Sequence, residues 1–363
     1  MYKKLFIPGP THVRDEILAA QATPMIGHRS KDYTDLQAAV TPKLQKLLYT
    51  QQPVFIYTCS GTGLMEGSLR QSVLKRALIT VCGSFSERWY EIARGNGVPA
   101  DSLKVELGQG FTPEMIDAAL GAGDYDVLTL TLNETSTGVM NPVQEITAMV
   151  REKYPDVVVL VDAVSAMAGV KIEFDAWGLD VVFASSQKCF ALPPGLTIAA
   201  VSERAFERAR QVPNRGYYFD FIDMLKYYQR NQTPATPAIS LVYALNKQMD
   251  DILAEGLDKR WARHIEMAEI VRGWARRYWE LFPDPRFLSN TVTTVTNTRG
   301  INVGDLNKAL GERGAAISNG YGTLKEKTFR IAHMGDLTVA DVRWLLAQID
   351  DILGLAYNKP DRF

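Results

Sequence analysis

The sequence has little of what would send a chain to a membrane, a nucleic acid or an oxidising compartment. It carries three cysteines, Cys59, Cys82 and Cys189. They are odd in number, widely spaced and free of any CxxC, so neither a disulfide framework nor a metal site is expected. A reduced, cytoplasmic setting fits. No apolar run approaches the roughly 18 residues of a membrane span. The opening MYKKLFIPGP has two lysines but no long apolar stretch behind them, so no signal peptide is expected. The closing KPDRF reads as no targeting tail. Forty basic side chains against 41 acidic ones leave a formal net charge of -1. That is not the basic excess needed to bind nucleic acid or a membrane surface. Repeats and low-complexity linkers are also missing. The partner left by these exclusions is a small molecule or a second copy of the chain.

What is present is a soluble, globular balance of 46% hydrophobic and 22% charged residues. At 363 residues the chain exceeds what one hydrophobic core usually holds, which predicts two domains. Seven short apolar runs alternate with helical stretches: PVFIYT (53–58), ALITVC (77–82), SLKVEL (102–107), DVLTLTL (126–132), DVVVLVD (156–162), DVVFASS (180–186) and LTIAAV (196–201). Several are apolar on successive residues, which requires burial on both faces, as in a parallel sheet covered by helices. Between the runs, residues 31–48 place Tyr33, Leu36, Val40, Leu44, Leu47 and Leu48 on one helical face. The pattern predicts an open α/β sheet of about seven strands. After residue 240 the rhythm changes to one long helical stretch over 241–281. A strand (NTVTTV), a helix (VGDLNKALGERG), a strand (TFRIAH) and a last helix follow. This reads as a smaller α+β domain, with the N-terminal segment packed on it.

Open α/β sheets bind ligands at the carboxyl ends of their strands. VVVLVD ends in Asp162, and VVFASS runs into Gln187 and Lys188. A carboxylate at the end of such an apolar strand is costly unless something pairs with it. Each residue alone is ordinary, a rim salt bridge or a helix cap. Together they suit one chemistry: a lysine amine can condense with an aldehyde, and a carboxylate can keep a pyridine nitrogen protonated. After PVFIYT, Ser60-Gly61-Thr62-Gly63 opens a helix, where glycines and free N–H groups can receive a phosphate. The same four residues also make a plain turn and cap, and the ATP-type GxxxxGK[ST] is absent. Phe85, past the rim after ALITVC, could stack on a heterocycle or belong to the core. Thr135 in NETSTG could bond a ring oxygen, although that segment is also a good turn. His28 and His333 are either ligand contacts or packing histidines.

The order of these motifs resembles the class V aminotransferases of the fold-type I pyridoxal-5′-phosphate (PLP) enzymes. The nearest patterns are those of alanine–glyoxylate, serine–pyruvate and 2-aminoethylphosphonate aminotransferases. IPGPTHV, IGHRS, SGTG, NETSTG, LVDAVSAMAG, SSQKCFALPPG, QTPATPAISL and FRIAHMGD follow in family order along essentially the whole chain. The resemblance implies a mostly parallel seven-stranded sheet with helices on both faces in a PLP-binding domain (21–245). It implies a small domain from 1–20 and 246–363, and a homodimer with shared active sites. It also implies roles. Lys188 looks like the Schiff-base lysine and Asp162 like the partner of the ring nitrogen. Val164 would pack opposite Phe85. Ser60, Gly61, Thr62 and Gly63 would hold the phosphate with Gln187, and Thr135 would sit near the ring's 3-oxygen. Thr233 and Thr236 would reach the phosphate of the neighbouring subunit. Arg330 would grip the substrate α-carboxylate, with Gly9 bordering the substrate. Two positions depart from relatives: Leu64 stands where a histidine is common, and Phe85 where Trp or Tyr is.

A transaminase working on a small L-amino acid (alanine or serine) and a 2-oxo acid (glyoxylate or pyruvate) is the function this resemblance implies. Phosphoserine or 2-aminoethylphosphonate enzymes are its alternatives. A PLP lyase such as a cysteine desulfurase needs an exposed nucleophilic cysteine on a mobile loop, whereas Cys59 precedes the phosphate loop, Cys82 ends a strand run and Cys189 adjoins Lys188. A non-catalytic relative would be expected to lack Lys188 or Asp162.

Overall fold

The computed structural model describes residues 3–355, so the tail KPDRF lies outside the described residues. All seven apolar runs form one sheet. Its strand order is Val54–Tyr57, Thr197–Val201, Val181–Ser185, Val158–Asp162, Val127–Thr131, Ala77–Val81, Ala100–Lys104. Thr197–Val201 runs antiparallel to both its neighbours. The pairings from Val181–Ser185 through Ala100–Lys104 are parallel.

The double-faced burial read from the runs is visible residue by residue. Val159, Val161, Val182 and Ala184 enter one hydrophobic cluster, while Val158, Leu160, Val181 and Phe183 enter another. This is the two-residue alternation of a strand with apolar layers on both sides. Helix Lys31–Leu47 buries the anticipated face, including Tyr33, Val40 and Leu44. The last strand differs from expectation. It spans Ala100–Lys104 rather than 102–107 and is only partly buried. As an edge strand it has a solvated side, so its apolar residues did not mark its limits.

A second sheet has the order Lys4–Phe6, Ala315–Asn319, Thr328–Ala332, Val292–Thr296, Glu280–Leu281. Phe6, Met267, Trp274, Val295, Leu306, Phe329 and Leu345 gather in a third cluster against it. The N-terminal segment is therefore a strand of this sheet, parallel to Ala315–Asn319. The continuous helix expected over 241–281 is two helices, Ile239–Glu255 and Leu257–Tyr278. Gly256 breaks them at φ +88°, a conformation that costs glycine little. The first of the two places Val242, Leu245 and Met249 in the core of the large sheet. Among the described residues, no helix is long and apolar enough to cross a membrane.

A buried charge network ties the two sheets together. Arg260 is 1% exposed. It donates to the carbonyls of Ala168 (2.7 Å) and Cys189 (2.8 Å) and pairs with Glu255 (2.9 Å) and Asp336 (3.4 Å). Asp336 also accepts from Arg14 Nε at 2.6 Å and Gln248 Nε2 at 2.9 Å. Removing one member of a buried ion pair strands the other charge. Arg260→Met is therefore expected to destabilise the fold by about 3–5 kcal/mol, read as a lower urea midpoint. An unchanged midpoint would show that Arg14 and Gln248 alone satisfy Asp336.

Candidate active site

The carboxyl ends of the strands surround a cavity of about 210 Å³. Its lining includes Ser60, Gly61, Thr62, Phe85, Thr135, Asp162, Val164, Gln187 and Lys188. The chain thus brings together most of the residues expected to form a site, from five separate strand ends. Larger cavities lie elsewhere, one of about 360 Å³ beside Trp177 and Trp261. Neither that one nor the other wide cavities include Lys188 or Asp162 in their linings.

Asp162 ends its strand beside Thr131 on one side and Phe183 on the other. It is 5% exposed and accepts the Val164 N–H at 2.7 Å. Burial raises its carboxyl to about 7, with the charge of Glu134 adding to the rise and Lys188 and Arg88 opposing it. Lys188 shows the opposite effect. Burial lowers its amine to about 8, and Arg330 pushes the same way. Its Nζ donates to the Pro8 carbonyl. A Cβ on Gly9 would stand 2.6–2.7 Å from Lys188 Cδ, Cε and Nζ, so the PGP turn closes over the lysine. No direct ion pair joins Asp162 to Lys188 among the described residues. A carboxylate left with one backbone donor calls for a cation, and an amine of lowered basicity suits condensation with a carbonyl.

The start of helix Gly61–Ser72 borders the cavity with Ser60, Gly61 and Thr62, and free N–H groups at a helix start can receive an anion. Ser60 caps it without a side-chain hydrogen bond. A Cβ on Gly61 would meet Ser185 Oγ and Val164 Cγ2, both at 2.7 Å, so glycine lets the helix start press against the neighbouring strand. Gly63 is placed differently. Its missing side chain faces Phe219 and its N–H donates to the Ser60 carbonyl at 2.9 Å, and it does not line the cavity. Leu64 is buried in the core.

Arg330 lies behind Thr135 rather than in the cavity lining. It is 6% exposed, and its guanidinium donates to the carbonyls of Thr135 (3.2 Å) and Asn319 (3.0 and 3.1 Å). Burial lowers it to about 10, which leaves it charged at neutral pH. Its guanidinium also covers Tyr321 at 5.6 Å, and that ring meets Phe85 at 5.1 Å. Thr233 and Thr236 border a different, small pocket with Thr58 and Tyr218. This chain does not bring them to the lysine. His333 is fully buried and bonded to Thr293 at 2.9 Å; burial lowers it to about 3. It is a packing residue. His28 is not among the cavity residues.

Three contributors escaped the sequence reading. Glu134, fully buried, accepts the Ser86 N–H and hydroxyl at 2.8 Å and the Ser136 N–H at 3.0 Å, and longer contacts from the Phe85 N–H. It clamps the start of helix Ser84–Gly95 to the NETSTG turn and so sets Phe85. Asn133 lines the cavity with an unpartnered buried Oδ1. Arg88, one turn after Phe85, also lines it. Only Glu134 and Asn133 had a signal, inside NETSTG.

An aromatic group that carries a ring nitrogen, a carbonyl and an anion therefore matches the donors and charges of this cavity. The comparisons agree in direction. The sequence matches the family described as aminotransferase class-V over residues 15–343. It is 37% identical to an uncharacterized aminotransferase of Methanocaldococcus jannaschii, over 96% of this chain and 92% of that protein. It is 32% identical to an L-aspartate–glyoxylate aminotransferase of Paracoccus denitrificans, over 93% and 87%. The alanine–glyoxylate aminotransferase of a Nostoc species superposes with a TM-score of 0.91 at 27% identity, covering 97% of this chain and 96% of that one. Spanning nearly the whole sequence and the whole fold, these matches place the chain in the class V aminotransferase family.

Proposed function

We propose that this aminotransferase uses PLP held by Lys188, and that it moves the amino group of a small L-amino acid, alanine or serine, to glyoxylate or pyruvate. The observation that carries the cofactor reading is the pair of buried, oppositely shifted groups, Asp162 and Lys188, in one cavity beside an anion-receiving helix start. PLP, when bound, supplies an aldehyde for the amine and a protonated ring that withdraws electrons from the substrate α-carbon.

The roles of the chain's own groups follow from their places. Asp162 keeps a proton on the ring nitrogen, because its carboxylate is buried without another cation. The lowered Lys188 amine takes and returns the proton at the substrate Cα. Arg330 offers a planar pair of N–H donors to the α-carboxylate. Ser60, Gly61, Thr62 and Gln187 surround the phosphate, with Thr135 near the 3-oxygen and Val164 and Phe85 on the two ring faces. We place Thr233 and Thr236 at the phosphate of a second subunit. Their separation from Lys188 in one chain is what a shared site in a homodimer would require, and the mass of the active species by light scattering checks it. A cytoplasmic location and a division into 21–245 against 1–20 plus 246–363 belong to the same proposal. A desulfurase-type reading has no support from the thiols. Burial raises Cys59 to about 11 and Cys82 and Cys189 to about 12.

A panel of amino donors and 2-oxo acids tests the substrate assignment, alanine or serine with glyoxylate being the expected pair. Borohydride treatment should fix a phosphopyridoxyl group on Lys188, and labelling of another lysine refutes the assignment. The lowered amine adds a pH dependence. Deprotonation near about 8, rather than at the usual ~10.4, means that PLP uptake by cofactor-free protein accelerates from pH 7 to 9 and then levels off. A rate still climbing at pH 10 would return the lysine to its ordinary value.

Asp162→Asn removes the ring-nitrogen partner. It is expected to slow the half-reaction with amino acid by roughly two to four orders of magnitude, as loss of about 3–5 kcal/mol implies. Near-normal single-turnover rates would remove Asp162 from this role. Arg330→Lys keeps the charge but lacks the fork, so KM should rise for donor and acceptor alike while the visible spectrum of the resting protein stays unchanged. Equal kcat/KM in both proteins across several amino acids would leave the carboxylate without its partner.

A further inference from the structure

Arg88 belongs to no motif of the sequence, yet it lines the cavity and donates Nη1 to the Thr62 hydroxyl at 3.3 Å. Its guanidinium stands 5.0 Å from the centre of the Phe85 ring. Among the described residues these are its partners, and neither is a carboxylate. A half-buried arginine with no carboxylate in contact, touching the hydroxyl at a helix start whose N–H groups can receive an anion, is itself poised for an anion.

The other charges around the cavity sharpen this. Asp162 and Glu134 bring no positive charge, while Lys188 is committed to Pro8 and Arg330 to two carbonyls. At the Thr62 end the neutral donors are a hydroxyl and the N–H groups of the helix start. The neighbouring side chain Leu64 is buried in the core and offers no donor. A phosphate dianion placed there would meet one full positive charge, that of Arg88.

Resting on the PLP reading, we infer that Arg88 is a ligand of the cofactor phosphate, supplying from helix Ser84–Gly95 the charge that the SGTG turn lacks. The shared chemistry is an oxyanion, so a second acidic group on the substrate is the rival source. Binding measurements on cofactor-free protein separate the two. Each protein is titrated with PLP and with pyridoxal, which has the same aldehyde and ring but no phosphate, and followed by absorbance. Arg88→Met is expected to weaken PLP binding on the order of ten- to a hundredfold, the range of a charge-assisted hydrogen bond, and to leave pyridoxal binding unchanged. Arg88→Lys should recover part of the PLP affinity and likewise leave pyridoxal binding unchanged. An equal loss for both ligands would reduce Arg88 to a prop for Phe85 and overturn the inference. So would unchanged PLP affinity combined with a raised KM for aspartate but not alanine, which would assign Arg88 to the substrate. If the unaltered protein binds neither ligand, the cofactor reading itself fails, and this inference with it.

Discussion

A carboxyl and an amine, each buried in the same cavity and not paired with each other, set the condition that the rest of the site answers. Burial pushes Asp162 up and Lys188 down, so each is held away from its charged form. Alone, such groups weaken a fold, because desolvating an ion is repaid only by a well-placed partner. Their persistence at adjacent strand ends is intelligible if a third body carries the missing charge and the missing carbonyl. The sheet can tolerate them because its centre is covered on both faces by separate apolar clusters, which hold the strand ends still.

Fixing those ends is the work of backbone-directed groups. Glu134 is the main one. It collects N–H and hydroxyl donors from Ser86 and Ser136, and a Cβ on Gly83 would collide with it at 2.6 Å. A buried carboxylate at a helix start is stabilised by the free N–H groups there. It raises Asp162 further through their like charge, so the device that positions Phe85 also makes Asp162 more dependent on a cationic partner.

Most of the large sheet was legible because burial on both faces writes continuous apolar runs. Where that condition lapses, legibility lapses with it. Ala100–Lys104 is an edge strand, and Ala315–Asn319 (AAISN) is short and half-buried. The break at Gly256 was hidden because both flanking helices keep a helical period. In the site, charged side chains at strand ends, such as Asp162 and Lys188, could be picked out. Gly63 stands outside the cavity lining, and a glycine-rich turn does not say which N–H is already used by the first helical turn. Arg88 was invisible. On one turn of an amphipathic helix a cavity-lining arginine looks like any solvated one, and only the packing against Thr62 and Phe85 distinguishes it.

The two sheets meet through arginines, and the character of their acceptors differs. Arg260 is held by carboxylates, Glu255 and Asp336, besides two carbonyls. Arg330 is held by carbonyls alone, those of Thr135 and Asn319. Both guanidinium groups are charged donors, but a carboxylate acceptor adds a Coulomb attraction that a neutral carbonyl lacks. Arg330 is therefore the one of the two without a carboxylate among its hydrogen-bond acceptors. Asp336 follows Arg330 closely in sequence, so the same stretch of chain is held by an ion pair at one end and by hydrogen bonds to neutral carbonyls at the other. The stretch 328–336 thus carries Arg330 at one end and, at the other, an aspartate tied through Arg260 to the carbonyl of Cys189, the residue after Lys188.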